Sequence, residues 1–243
     1  RFNPNQLFLA QSHFVDSGPQ TAPIQGVAVV NLYEAPLDGR NPLFGVFILD
    51  KNVFIPGRGQ AAGFSTYFDF GLKFATLGYT GKVKLAAITG HFHWRGKTVE
   101  IRRWNGAQAD EVGRPRVDAD GRTALDWETN TETIYMPDNW DEPPFQTWGS
   151  DGPELDADAG EGIIFRTTYE LRPGDEGYDF PFGTHTPSQE HSNVFMYFYS
   201  DQPQTVEASQ NTVFAPPPRV CGGVGQNCCL PGVGPSRCES GLD

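Results

Sequence analysis

Lys97-Thr98-Val99-Glu100-Ile101-Arg102-Arg103-Trp104-Asn105-Gly106 is the stretch whose reading decides the fold. Val99 and Ile101 alternate with Thr98, Glu100 and Arg102, and a period of two puts successive side chains on opposite faces of a β-strand. Asn105-Gly106 closes the run with a strong tight-turn signal. Just upstream, Lys82 to Gly90 reads as another strand. Further out, Leu43 to Leu49 is a compact apolar run, and Ala61 to Leu72 alternates small or polar residues with Phe64, Phe68 and Phe70. Leu7 to Phe14, Gly26 to Tyr33, Glu161 to Tyr169 and Val194 to Tyr199 complete the strand candidates. No repeat and no long helical period interrupts them. With 28 glycines, 20 prolines, 18 phenylalanines and 8 tyrosines, the composition also favours many short strands separated by turns.

The expectation is an all-β fold, an antiparallel jelly-roll-like β-sandwich with a short disulfide-rich C-terminal tail. A chain of 243 residues is long enough to close one large sandwich around a real core. Residues 107 to 133 are polar and without period, and read as a long surface insertion. Asp118-Ala119-Asp120-Gly121 and Asp156-Ala157-Asp158-Ala159-Gly160 have the look of calcium loops but lack the glutamate at the twelfth position, so both read as turns. Pro137 to Pro144 reads as a rigid acidic loop. The divisions are residues 1–36, a main domain over 37–215, and a tail over 216–243 that Pro216-Pro217-Pro218 links to it.

The formal charge of −12 argues against a nucleic-acid partner, which needs a basic stripe. No apolar run is long enough to span a bilayer. All four cysteines, Cys221, Cys228, Cys229 and Cys238, fall in the tail; their spacing fits no familiar zinc module and reads as two disulfides, among three possible pairings. Together with a start that lacks methionine, this points to a processed, secreted piece, extracellular or periplasmic and of bacterial type, whose signal peptide has been removed, with an upstream domain either cut away as well or never present.

Five histidines occur, and two of them stand in Gly90-His91-Phe92-His93-Trp94. In a strand the two rings share a face and can close on one ion; neutral imidazole suits copper and zinc. A polar stripe on a solvated strand is the plainer alternative. Hydrolytic chemistry has little support, because the chain has neither a G-x-S-x-G elbow nor an H-E-x-x-H helix.

Three stretches carry a family resemblance. Ala86-Ala87-Ile88-Thr89-Gly90-His91-Phe92-His93-Trp94-Arg95-Gly96-Lys97 resembles the His-x-His motif of copper type II, ascorbate-dependent monooxygenases, the family of peptidylglycine α-hydroxylating and dopamine β-monooxygenases. Gly183 to Tyr197, through Thr184-His185 and Glu190-His191-Ser192-Asn193, is similar to the family's Thr-His…Glu-Met-Cys-Asn stretch. Leu7 to Phe14 resembles the end of its first domain, which makes residues 1–36 the expected remnant of an upstream copper domain packed on the main sandwich.

The resemblance implies two jelly-roll-like domains with one copper each, the second held by two histidines and a methionine. His91 and His93 match those histidines, and His191 stands where the methionine belongs. A third imidazole makes a harder site than a thioether and favours cupric copper, with zinc as a substitute. Met196 is the thioether alternative if the register slips. His13 matches a first-domain ligand, with a hydrogen-bonded strand histidine as its plainer reading; His185 matches a family histidine in a supporting or core role, with direct coordination as the lesser alternative. The implied activity is hydroxylation of a small-molecule or peptide substrate with dioxygen and a reductant such as ascorbate, aided by an upstream electron-transfer domain outside this chain. Tyr197 and Tyr199 would line a substrate groove, or pack into the core, the core being favoured for at least one of them. A copper-holding protein without turnover, and an inert sandwich, are the competing classes.

Overall fold

The computed structural model describes residues 43–116, 123, 125–138, 143–183, 185, 187–201 and 212–214, together with 27, 29 and 31. The expected strands before residue 36, the Asp118 loop and the cysteine-rich tail lie outside these residues.

The strands in chain order are β1 (Phe44–Asp50), β2 (Phe54–Ile55), β3 (Ser65–Lys73), β4 (Lys82–Phe92), β5 (Gly96–Trp104), β6 (Thr131–Tyr135), β7 (Gln146–Thr147), β8 (Glu154–Asp156), β9 (Gly162–Glu170), β10 (Phe180–Pro181), β11 (Ser192–Tyr199) and β12 (Thr212–Phe214). The helical content of the described residues is a 3-10 turn, Phe74–Leu77, and a single α turn, α1 (Trp127–Asn130).

Two sheets face each other. One is ordered β12-β1-β11-β4, with β7 and β8 both paired to β4; the other runs β3-β9-β5-β6. Taking the eight principal strands, the first pairs with the last (β1 with β11), the second with the next to last (β3 with β9), the third with β8, and β5 with β6. That inward winding is the jelly roll. Every named pair is antiparallel except β1 with β12.

Alternation builds the core. Val46 and Ile48 from β1, Phe68, Phe70 and Leu72 from β3, Val99 and Ile101 from β5, and Val194, Met196 and Phe198 from β11 all point between the sheets. Each fully buried Phe or Leu contributes about 1.5–3 kcal/mol.

Four readings of the sequence change. The strand expected from Ala61 begins at Ser65, since Gly63 turns at φ 84°. Asn105-Gly106 turns as expected, Gly106 at φ 78°, but it opens a long connection instead of a hairpin, and the partner of β5 is β6. β6 was hidden in the insertion because Thr131-Glu132-Thr133 is polar. The insertion also carries structure: Leu125 buries against Trp104 and Ile164 on the outer face of the second sheet. Trp127 lies under the guanidinium groups of Arg166 and Arg102, at 4.1 and 5.3 Å from its ring. The Asp156 segment is an ordinary turn, with Asp156 Oδ1 accepting the N–H groups of Asp158 and Ala159.

Candidate metal centre

His91 is the outward residue before the last position of β4, and Phe92 beside it faces the core. Glycines make this arrangement possible: a Cβ on Gly90 would lie 3.1 Å from Phe92 Cζ, and one on Gly96 3.1 Å from Phe92 Cβ. The Phe92 ring fills the space both leave, which anchors the strand end while its neighbours turn outward. His93 follows immediately, in the turn closed by Gly96 N–H to His93 O at 3.0 Å. His191 directly precedes β11, whose Asn193 pairs with His91 across the ladder.

The three rings converge. One nitrogen from each of His91, His93 and His191 lies within 4.8 Å of the others. Ring centroids are 3.7 Å apart for His93 and His191, 4.7 Å for His91 and His191, and 6.0 Å for His91 and His93. His191 is buried, His93 is intermediate and His91 is exposed, so the group opens to solvent on the His91 side.

These residues fit a metal ion. Three donor atoms within 4.8 Å of one another stand close enough for imidazoles to share one ion, which they approach to about 2.0–2.1 Å. His93 Nδ1 lies 2.9 Å from the carbonyl of Gln189, which assigns that nitrogen the proton and leaves Nε2 to face an ion. The His191 carbonyl accepts the Tyr169 hydroxyl at 2.8 Å, tying the third ring's backbone to the opposite sheet. Burial holds that phenol well above its ordinary range.

Behind the rings lies a buried charged network. The guanidinium of Arg95 donates to both oxygens of Asp175, at 2.9 and 2.8 Å, to Glu190 at 3.4 Å and to the Pro187 carbonyl at 3.1 Å, and rests 3.4 Å over the Phe180 ring. Glu190 also accepts the backbone N–H of His93 and of Arg95. Burial pushes its carboxyl up to about 7, against the opposing pull of the Arg95 N–H and charge and of the His93 N–H.

Two of the alternative ligands, Met196 and His185, lie outside the group of converging imidazoles. Met196 lies three residues beyond Asn193 and therefore faces the other side of the sheet; it is 1% exposed in the core, between Ile88 and Val46. It points away from the imidazoles. His185 is exposed, neither core nor a member of the cluster; its Nδ1 meets the Ser188 hydroxyl at 2.7 Å and its N–H donates to Gln189 Oε1 at 2.9 Å. It supports Gln189, which orients His93. His13 lies outside the described residues.

Tyr197 and Tyr199 both stand on the outer face of β11, so the core assignment for one of them is corrected. The same face carries Phe195, 6.4 Å from the His91 ring, and Phe47 stacked on Phe195 at 4.2 Å. Tyr197 meets Phe145 at 5.9 Å, and Tyr199 donates to the Ser150 carbonyl at 3.3 Å. An aromatic row thus leads away from the histidines. Arg95, Glu190, Asp175 and Gln189 had no signal in the sequence as site residues, apart from Glu190 adjoining His191.

Among the described residues, no helix is long and apolar enough to cross a membrane. No protein-family model matches the chain, and no curated protein matches it in sequence.

Proposed function

We propose that His91, His93 and His191 hold one copper ion in a secreted, copper-dependent monooxygenase-like protein. The observation that carries this reading is the meeting of three imidazole donors within 4.8 Å of one another at a solvent-facing strand end. The likeness of residues 86–97 and 183–197 to the copper type II monooxygenases supports the choice of metal, as does the preference of imidazole for copper. Zinc is the substitute the same donors accept.

Bound copper would supply dioxygen activation and removal of hydrogen from a substrate carbon. The overall conversion is R–H + O2 + 2 electrons + 2 protons to R–OH + H2O, with ascorbate or another reductant delivering the electrons. The chain's own residues do the rest. Gln189 fixes the ring orientation of His93, the exposed side of His91 leaves an approach for substrate, and the Phe195, Phe47 and Tyr197 face offers a surface on which a small molecule or peptide can lie.

A second reading, copper holding without turnover, is favoured by the donor set itself, because three imidazoles retain cupric copper better than a set with a thioether. Metal analysis with oxygen-uptake measurements separates the two. The monooxygenase reading expects one copper per chain and ascorbate-dependent oxygen consumption coupled to a hydroxylated product. Copper without oxygen uptake leaves the holding protein, and absence of stoichiometric copper removes both.

A further inference from the structure

Gln189, Glu190 and His191 meet the end of β4 in three different ways. The Gln189 carbonyl addresses the His93 ring at Nδ1, at 2.9 Å. The Glu190 carboxylate takes the His93 N–H on Oε2 at 3.1 Å and the Arg95 N–H on Oε1 at 2.9 Å. The His191 ring then lies beside that of His93. The β4–β11 pairing runs only as far as Phe92 with Ser192, so His93 stands one residue past the ladder. Glu190 supplies there the cross-connection that the sheet no longer makes.

The carboxylate is suited to this task. It is fully buried, and Arg95, anchored in turn on both oxygens of Asp175, holds it from behind. A buried ion pair adds little stability over an apolar pair of the same volume, whereas its directional bonds fix one geometry. A carboxylate accepts at both oxygens; an amide of the same shape accepts at one and sets an NH2 group against the other backbone N–H.

We infer that Glu190 is a positioning residue of the metal centre, whose two-pronged grip sets the His93 backbone against the His191 segment so that the three imidazoles converge before an ion arrives. The inference rests on the metal reading given above. It assigns Glu190 no bond to the ion, since the donor atoms that converge are those of His91, His93 and His191.

The test compares the full chain with Glu190→Gln and Glu190→Asp. In the metal-free proteins, proton NMR follows the through-space contact between the His93 and His191 rings. In the copper-loaded proteins, chelator competition gives the cupric affinity, and electron paramagnetic resonance gives the nitrogen hyperfine pattern. The expected result for Glu190→Gln is loss of the ring contact, an affinity lower by about 10–100-fold, and a pattern reduced from three nitrogens to two. Glu190→Asp, charged but one methylene short, moves the same way and decides the matter if the amide variant does not fold. Ring contact, affinity and spectrum equal to those of the unmodified chain overturn this inference and leave the metal reading standing. Failure of the unmodified chain to bind copper overturns both.

Discussion

Arg95→Met removes one cation from between two buried carboxylates while keeping the length and most of the apolar volume of the side chain. The Arg95 side chain is 5% exposed, that of Asp175 12% and that of Glu190 0%, so solvent does little to replace the lost charge. Breaking a buried pair by removing one partner costs about 3–5 kcal/mol, most of it from the uncompensated charge left behind. For a protein of this size each kcal/mol moves the melting temperature by about 2–4 °C, which gives a fall of about 6–20 °C at pH 8. The sign of the pH dependence follows from Glu190. Its carboxyl stands at about 7 in the folded protein, above its ordinary 4.5, so its favourable contribution is complete below 4.5 and is lost as the pH rises through about 7. Without Arg95 that value rises further. The variant's deficit is therefore largest above pH 7 and shrinks at pH 5, where a proton replaces the missing cation. Thermal unfolding of the metal-free proteins, followed by circular dichroism at both pH values, reads this directly. A loss below about 1 kcal/mol at pH 8, or a larger deficit at pH 5 than at pH 8, would refute the reasoning.

Three other outcomes are expected. The double variant His91→Ala/His93→Ala keeps its β-sheet spectrum and loses stoichiometric copper; retention of a full equivalent contradicts the ligand assignment. His191→Met moves the copper potential toward the cuprous state, and a redox titration with no difference between the two proteins counts against it. Tyr79 is 2% exposed, its hydroxyl has no hydrogen-bond partner among the described residues, and burial pushes its phenol up to about 12. Tyr79→Phe is accordingly neutral or stabilising by up to about 1 kcal/mol at pH 7. It also removes the stability loss that the phenol causes as pH rises from about 10 through about 12, a difference visible in alkaline unfolding curves.

The architecture was readable because a two-residue period marks which face of a strand is buried. β3 and β5 were visible in this way, β1 stood out as a compact apolar run, β4, β9 and β11 were strand candidates between turns, and the His91 and His93 pair follows from the two-residue rule. β6 was not, since its Thr-Glu-Thr start lies on a polar outer edge, and two-residue strands such as β2, β7 and β10 are too short to show a period. The third imidazole was reachable only through the family resemblance of residues 183–197. The charged network behind the rings was out of reach for a different reason: Arg95 is 80 residues from Asp175 and 95 from Glu190, and no local pattern encodes a contact that the jelly-roll winding creates. Met196 illustrates the converse. Its place in the strand, three residues from the partner of His91, already determines that it faces the core.

Three histidines from the ends of two neighbouring strands binding a single ion is the central claim, and X-ray absorption at the copper edge on protein loaded with one equivalent examines it most directly. The structure leads to three imidazole nitrogens at about 2.0–2.1 Å, falling to two in His191→Ala. A spectrum dominated by oxygen donors, or one that His191→Ala leaves unchanged, contradicts it.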